Sequence, residues 1–352
     1  MSVPEVTRAL RLHRPRSGQD GPDVRWDAIA TPQPTAGEVL VRVDACALDP
    51  DDLALVGGDV PSPALPLTLG RAGAGTVAAT GPGAGDWQPG DPVALDGSVT
   101  CGRCGYCATG RDNLCVARSA MGRDRDGAHA QFVIADARHL LPAPGGVPAA
   151  VVAVVVRSLA VPYHALKRAG VGEGVALAVH GLGGQGLHAV LLAKLAGAHV
   201  IGVDRDAGRR ETALDWGADE TIDAQPGDVA RRVRELTDGG ADCSLEFTGR
   251  PEGAQAAADG LRPGGRATFT RRGAWSLPSA TLTRSVDEEL DLVGSHDPTL
   301  QDVGELLDLL ADDRLDLSRS VAHQVPTEQL SSLLTSVDPE ERDPDIVVAT
   351  AH

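Results

Sequence analysis

A glycine-rich hexapeptide in the middle of the chain restricts the fold more than any other feature. It follows an apolar run at 175–180 that indicates a buried strand, and it precedes an apolar-faced helical segment at 187–195. In that setting the backbone N–H groups and the positive end of the helix face a pyrophosphate, which side chains at the glycines would obstruct. The pattern G-x-G-x-x-G therefore predicts a dinucleotide-binding loop. Its residues are Gly181, Leu182, Gly183, Gly184, Gln185 and Gly186.

From about Gly174 onward, strand-like and helix-like segments alternate. Such alternation predicts an α/β fold with a doubly wound parallel sheet. A helix is expected at 299–312, an amphipathic stretch at 325–337 and a closing strand near 346–350. The expected strands after the loop are 199–204, 219–223, 241–247, 266–270 and 290–294, with a helix at 206–216.

The first half of the chain has a different pattern of predicted secondary structure. Short β-like runs at 39–45, 75–81, 91–95 and 129–136 are separated by Gly and Pro. This pattern predicts a compact, barrel-like β domain. A chain of 352 residues is also too long for one ordinary core, so we expect two domains.

Composition narrows the function classes. The 32 Lys and Arg against 49 Asp and Glu give a net charge of −17, which disfavours a nucleic-acid partner. The most apolar segment, 147–156, is shorter than a membrane span and contains Pro148. The first 25 residues carry no apolar run of signal-peptide length. We therefore expect a cytoplasmic protein that acts on a small molecule, with no membrane partner.

The choice of dinucleotide depends on the end of the strand at 199–204. Asp204 lies 23 residues after Gly181, where a carboxylate binds the adenosine ribose hydroxyls and repels a 2′-phosphate. This favours NAD(H). Arg205 and the pair Arg209 and Arg210 leave NADP(H) open, because a guanidinium accommodates that phosphate.

Four cysteines occupy a short segment of the β half. Four soft thiolates in one loop form the donor set of a closed tetrahedral zinc site, which stabilises the fold and leaves no position for substrate. We expect one structural Zn²⁺ per chain; an iron–sulfur cluster and an oxidised loop are the alternatives. Cys46 and Cys243 stand apart and are expected to be small buried residues. The four are Cys101, Cys104, Cys107 and Cys115.

With the cysteine segment ahead of the glycine loop, the chain resembles the medium-chain dehydrogenase/reductase superfamily, in its zinc-containing alcohol dehydrogenase branch. Gly-Ala-Asp at 217–219 and Leu-Arg-Pro-Gly-Gly-Arg at 261–266 support the resemblance. It implies a GroES-like β-barrel catalytic domain, a Rossmann domain and a homodimer or homotetramer. The implied boundaries are 1–158 with 299–352 for the catalytic domain, including the zinc lobe at 100–116, and 159–298 for the Rossmann domain.

The catalytic zinc ligands of that family do not carry over. The position of its first Cys ligand holds Asp49, the His of its Gly-His-Glu motif is Arg71, and its third ligand falls on Arg157. Two guanidiniums repel a metal dication, and one carboxylate cannot hold a catalytic zinc, which needs three protein ligands. We expect an ion-pair cluster here, with Asp49 between the arginines. The arginines then either replace the metal as scaffold or act on a substrate oxygen.

Several residues are candidate proton donors, each with a structural alternative. His129 replaces an aromatic residue that lines the family's pocket, and it is either an acid–base group or a packing histidine. Asp51 takes the place of the family's relay hydroxyl, as a buried acid, a salt-bridge partner or a cap. Tyr163 is either a pocket phenol or a core residue. By family analogy, Thr248 and Gly249 lie near the nicotinamide.

The leading functional prediction is an NAD(P)H-dependent oxidoreductase without catalytic zinc. Such an enzyme suits an acceptor that is already activated, such as a conjugated enone, an enal or an iminium. A non-redox cyclase, isomerase or lyase, metal-free alcohol or aldehyde oxidoreduction, and a non-catalytic binding protein are the alternatives. The retained glycine loop and Asp204 favour a working cofactor site over the binding protein.

Overall fold

The computed structural model describes residues 3–61, 64–225, 228–272, 276–321, 323–336 and 348–350. The chain forms two compact units. The first contains the residues up to 160 and the described residues from 298 onward, and the second contains 161–297.

The first unit is built from antiparallel strands around β3. This long strand, Glu38–Ala47, pairs with β5 (Gly73–Thr80) on one side and with β9 (Phe132–Asp136) and β18 (Val348–Thr350) on the other. Val39, Val41, Val77 and Val93 are among the buried residues of its core, as the alternating pattern of half-buried strands requires. The strands are β1 Val6–Arg14, β2 Asp23–Ala30, β3 Glu38–Ala47, β4 Leu67–Thr68, β5 Gly73–Thr80, β6 Pro92–Leu95, β7 Ser98–Val99, β8 Ser119–Ala120, β9 Phe132–Asp136, β10 Leu140–Pro142, β17 Gln324–Pro326 and β18 Val348–Thr350.

The strand expected at 129–136 begins only at Phe132. Before it, the backbone N–H of Ala128 donates to Gly70 and that of His129 to Leu69. These bonds hold the segment against the 69–70 loop, so His129 is buried in the unit instead of belonging to the strand. The expected closing strand is described only as Val348–Thr350, because Ile346 lies outside the described residues.

Helices of the first unit cover the sheet ends. The amphipathic stretch expected at 325–337 is a strand, a 3₁₀ turn at Thr327–Gln329 and the helix Leu330–Ser336, and residue 337 lies outside the described part. The helices are α1 Pro50–Gly57, α2 Gly105–Ala108, α3 Ala149–Val154, α10 Leu300–Ala311 and α11 Leu330–Ser336, with 3₁₀ turns at Asp112–Leu114, Ala137–His139 and Arg319–Val321.

One helical stretch, Ala149–Ala169, is long and apolar enough to cross a membrane by length and composition. It consists of α3, a π-helical turn at Val155–Leu159 and α4 at Ala160–Ala169. Most of its apolar window is buried inside the protein, with 72% of those residues covered. It is therefore a core helix.

The second unit is a six-stranded parallel sheet with the order β13-β12-β11-β14-β15-β16. This order is the one a doubly wound dinucleotide-binding fold has, and it confirms the predicted α/β class. Strand β15 begins five residues before the expected 266, and α5 begins three residues before 187. The elements are β11 Ala176–His180, α5 Gly184–Leu195, β12 His199–Asp204, α6 Ala207–Asp215, β13 Glu220–Asp223, α7 Val229–Leu236, β14 Ala241–Glu246, α8 Pro251–Asp259, β15 Leu261–Phe269, α9 Ser279–Asp287 and β16 Asp291–Gly294.

Candidate active site and metal centre

The N-terminus of α1 brings the acidic residues of the Asp49–Asp52 segment together. Asp49 is the N-cap, Pro50 occupies the first turn, and the carboxylate of Asp49 accepts from the backbone N–H of Asp51 at 2.8 Å. Asp52 completes a capping box by accepting from the backbone N–H of Asp49 at 3.2 Å. Acidic groups are favoured at this end of a helix, so the sequence Asp-Pro-Asp-Asp dictates the local structure.

Two arginines pair with these carboxylates. Arg157 Nε donates to Asp49 Oδ2 at 2.6 Å, and its Nη2 donates to Asp51 Oδ2 at 3.2 Å. Arg71 Nη1 donates to the same oxygen of Asp51. Of the three roles left open for Asp51, buried acid, salt-bridge partner and cap, the structure shows the salt-bridge partner. The ion-pair cluster is therefore formed by Asp49, Asp51, Arg71 and Arg157.

Burial differs within the ion-pair cluster. The side chains of Arg71 and Asp49 are 2% and 3% exposed, whereas that of Asp51 is 23% exposed. Burial raises the pKa of Asp49, and the nearby charge of Arg157 opposes this shift. Asp51 is the member that solvent reaches most easily, with Arg157 beside it.

His129, Asp52 and Cys46 form a buried triplet. Asp52 connects this triplet to the ion-pair cluster, because it also accepts from the backbone N–H of Asp49 in the α1 capping box. His129 Nε2 is 3.4 Å from Asp52 Oδ2 and 4.0 Å from Cys46 Sγ, and the thiol of Cys46 donates to the carbonyl of Ala72 at 3.0 Å. Burial lowers the pKa of His129, whereas Cys46, through its charged form, and the hydrogen bond to Asp52 raise it to about 10. The contact with Asp52 therefore favours the protonated imidazole.

The sequence singled out His129 but not its partners. Cys46 is buried, as expected for a small core residue, and Cys243 is buried too. The sequence contained one usable signal for Asp52. It is an acidic residue three positions after a capping Asp, and this spacing predicts a capping box. Nothing in the spacing indicated that this cap would also contact a residue 77 positions later.

The four-cysteine segment folds into a compact lobe. The Sγ atoms of Cys101, Cys104, Cys107 and Cys115 all lie within 4.8 Å of one another. Cys101 and Cys107 are 4.0 Å apart, and Cys104 and Cys107 are 3.5 Å apart. Zinc–sulfur bonds of about 2.3 Å in a tetrahedron require sulfur separations of about 3.8 Å. The donor set and its spacing therefore fit one zinc ion.

The glycine loop connects β11 to α5 in the second unit, with Gly183 as the N-cap of the helix and no side-chain cap from it. Gly181 has a φ of +89°, and a Cβ there would lie 3.0 Å from Thr248 Cγ2. Only glycine fits both the conformation and the space. The loop therefore keeps the form that a pyrophosphate needs at a helix N-terminus.

Asp204 ends β12 next to this loop. Its carboxylate accepts from the backbone N–H of Leu182 at 2.7 Å and from that of Asp206 at 2.8 Å. Arg210 donates to the carbonyl of Asp204 at 2.8 Å and pairs with Asp223 at 3.2 Å. Arg210 is thus held in place, and Arg205 is exposed.

A second loop lies beside the first. Glu246 at the end of β14 is fully buried and accepts from the backbone N–H of Thr248 at 2.7 Å and from that of Gly249 at 3.1 Å. Burial raises the pKa of Glu246, and its hydrogen bond from the Thr248 side chain opposes this shift. Glu246 thereby fixes the position of Thr248 against Gly181, which the sequence reasoning missed.

Tyr163 lies on α4, in the second unit, and is half-buried. The ammonium of Lys167 lies 5.3 Å from the centre of its ring, as expected for a cation–π contact one helical turn away.

Comparisons with known proteins agree with this architecture. Residues 35–145 match the model of the alcohol dehydrogenase GroES-like domain, and residues 184–312 match that of the zinc-binding dehydrogenases. A sorbitol dehydrogenase from Halalkalibacterium halodurans is 32% identical over 301 residues, covering 83% of this chain and 87% of the relative.

Two solved structures are similar over nearly their whole length. The alcohol dehydrogenase TADH from Thermus sp. ATN1 superposes with a TM-score of 0.87 at 28% identity, over 98% of this chain and 100% of that one. The acetophenone reductase from Geotrichum candidum in complex with NAD gives 0.85 at 25% identity, over 99% and 98%. With both domain models matched, the chain belongs to the zinc-type alcohol dehydrogenase family of the medium-chain dehydrogenases/reductases and is an NAD(P)-dependent oxidoreductase.

Proposed function

We propose that this oxidoreductase works without a catalytic zinc and reduces a small, already activated molecule: a conjugated enone or enal, or an iminium. The ion-pair cluster is the observation that carries the proposal. At the positions of the family's three catalytic ligands stand one carboxylate and two guanidiniums, and Arg157 occupies that carboxylate at 2.6 Å. A guanidinium has no lone pair for a metal.

The substrate class follows from two properties of the ion-pair cluster: it lacks a set of metal ligands, and it offers guanidinium N–H donors. A metal in this family polarises a carbonyl oxygen, which an unactivated ketone needs. Arg157, the more exposed of the two arginines, offers N–H donors instead, and these suit the smaller charge that develops when a conjugated acceptor is reduced at carbon. Asp51, the most exposed member of the cluster, lies between the two guanidiniums.

A bound nicotinamide supplies the hydride, and the residues of the chain orient the substrate and provide for its protonation. With an enone or enal, Arg157 holds the carbonyl oxygen by a hydrogen bond. Asp51 orients both guanidiniums, and water at its exposed side supplies the proton. His129 keeps its own proton and, through Asp52, fixes the α1 terminus that carries Asp49.

Cofactor oxidation tests the reaction. We expect the purified protein to consume NADH with a conjugated enone, an enal or a cyclic iminium at a rate that 1,10-phenanthroline leaves unchanged. Arg157→Lys retains charge but not the two-pronged donor, so we expect kcat/KM to fall about a hundredfold. Product formed without cofactor consumption would support a non-redox reaction instead, and activity that disappears with the chelator and returns with zinc would contradict the proposal.

We also infer that the four-cysteine lobe holds one structural zinc ion per chain and that NAD(H) is the preferred cofactor. Asp204 at the end of β12 and the engagement of Arg210 with Asp223 support the second inference. In Asp204→Ser we expect the ratio of kcat/KM for NADPH to that for NADH to rise about tenfold. An unchanged ratio would remove Asp204 from the selection.

The resemblance to this family also supports a cytoplasmic homodimer or homotetramer with a small-molecule substrate and no nucleic-acid or membrane partner. Light scattering behind a sizing column tests the assembly, since a monomer would contradict it.

A further inference from the structure

A small cavity in the first unit lies apart from the ion-pair cluster. Its volume is about 100 Å³, and no member of the cluster lines it. Three water volumes of about 30 Å³ would fill this space, so it has room for a molecule of about four heavy atoms. Its lining includes Arg8, Trp26, Cys46, His129, Gln131 and Glu328.

Two nitrogen atoms of the lining side chains have no hydrogen-bond partner among the described residues. They are Trp26 Nε1 and His129 Nδ1, and both atoms are buried. A buried polar group without a partner destabilises the folded protein, and native proteins nearly always provide a partner or a ligand. The indole can only donate. The group that completes this site must therefore be an acceptor.

Two basic side chains of the lining suit an anionic acceptor. His129 Nε2 lies 3.4 Å from Asp52 Oδ2, and its pKa is raised to about 10 by Cys46 and Asp52 against the effect of burial; in the protonated form that this favours, Nδ1 also carries a proton. The guanidinium of Arg8 lies 5.3 Å from the centre of the Trp26 ring.

Two acids also line the cavity, but neither fills the role of the acceptor. Asp44 already accepts from Arg42 at 3.0 Å and from the hydroxyl of Thr76 at 2.8 Å. Glu328 is exposed, so water solvates its carboxylate. Neither acid reaches the two buried nitrogen atoms within hydrogen-bond distance.

We propose that this cavity binds a small carboxylate of the size of acetate, whose oxygens accept from Trp26 Nε1 and His129 Nδ1 while Arg8 balances its charge. The site shares no residue with the ion-pair cluster, and its one link to the proposed reaction is His129, which also contacts Asp52.

Indole N–H resonances of the full-length protein labelled with ¹⁵N-tryptophan test this directly. We expect acetate to shift the Trp26 resonance in a saturable manner, with Trp26→Phe assigning the peak. Trp87 is the internal control, because its Nε1 already donates to the carbonyl of Ala137 at 3.1 Å. Neutral acetamide, with the shape of acetate, and benzoate, which is too large, should leave the Trp26 peak in place.

A surface variant tests the charge. We expect Arg8→Gln to weaken acetate binding about fivefold. The matched control is Arg25→Gln, since Arg25 lies on the neighbouring strand β2 and pairs with Asp23 at 3.2 Å; it should leave acetate affinity unchanged. Removal of the imidazolium in His129→Gln should abolish the saturable shift.

The wild-type titration decides the proposal by itself. A shift that rises linearly with acetate concentration, or no response at all, would show that the cavity does not bind acetate, and an equal response to acetamide would show that it does not select a carboxylate; each result would overturn the proposal.

Discussion

The first unit carries two positions at which this family binds zinc, and they have diverged. The lobe keeps four cysteine sulfur atoms within 4.8 Å of one another, whereas the catalytic position holds the ion-pair cluster of Asp49, Asp51, Arg71 and Arg157. The lobe is assembled from one segment of fifteen residues, but the ion-pair cluster joins residues up to 108 positions apart. The two positions differ in the cation that balances their acidic groups. Guanidiniums balance the carboxylates of the ion-pair cluster, whereas the proposed zinc ion balances the cysteine sulfurs of the lobe.

This contrast has an energetic side. A zinc ion holds a small lobe together outright, since its binding free energy is folding free energy. Buried ion pairs gain less, because desolvation offsets most of their attraction. The ion-pair cluster is supported by hydrogen bonds from both guanidiniums to the carboxylates and by Asp49, which also caps α1. We therefore expect loss of a metal ligand to cost more than loss of an arginine.

The largest effect is expected in the lobe. Cys104→Ser removes one of four sulfur ligands, and we expect it to lose its zinc and at least about 5 kcal/mol of stability. Metal content and thermal unfolding of the purified protein measure both effects.

Cys243→Ser is the matched control, because Cys243 is a buried cysteine in the other unit whose thiol donates to the carbonyl of Ala169 at 3.2 Å. It should keep its zinc and lose about 1 kcal/mol. A stable, fully folded Cys104→Ser protein would mean that the lobe does not depend on its metal.

A smaller loss of folding stability is expected when one ion pair of the cluster is removed. Arg157→Met leaves Asp49 buried without its closest cation, and we expect a cost of about 3–5 kcal/mol in the free energy of unfolding. Asp49→Asn in the same chain removes that charge but retains an N-cap acceptor. The double variant should recover most of the loss in urea unfolding. If the two losses simply add, Arg157 and Asp49 do not form the pair described above.

Sequence patterns predicted the parts of the molecule that are local. The glycine loop, the alternation around it and the cysteine lobe each lie within short segments, where spacing determines geometry. The positions of Arg71 and Arg157 followed only from the resemblance. The contacts of His129 did not follow from either, because they depend on the segment at 128–131 bending into the unit and on a cap at Asp52. No periodicity encodes such a long-range contact.

The smallest of the three expected losses of stability, after those of the cysteine lobe and the Arg157–Asp49 pair, is the one that His129 causes as pH rises. The pKa of His129 is raised from its ordinary 6.5 to about 10, so its contribution to stability is complete below pH 6.5 and is lost as pH rises through 10. We expect up to about 3 kcal/mol to disappear between pH 7 and 9. Asp52 and Cys46 are the groups that face it.

Urea unfolding at the two pH values measures this loss, and His129→Gln should remove it. His180→Gln is the control from the other unit: burial lowers the pKa of His180 to about 4, so it stays neutral over the whole range and should leave the pH dependence unchanged. Equal slopes in wild type and His129→Gln would show that His129 carries no charge in the folded protein.

The zinc content of the purified protein tests the central claim most directly. Elemental analysis of the wild type and of Cys104→Ser, each against its protein concentration, should give about one zinc ion per chain and about none, respectively. Two ions per wild-type chain, with one retained in Cys104→Ser and lost in Asp49→Asn, would show that the ion-pair cluster binds a metal after all.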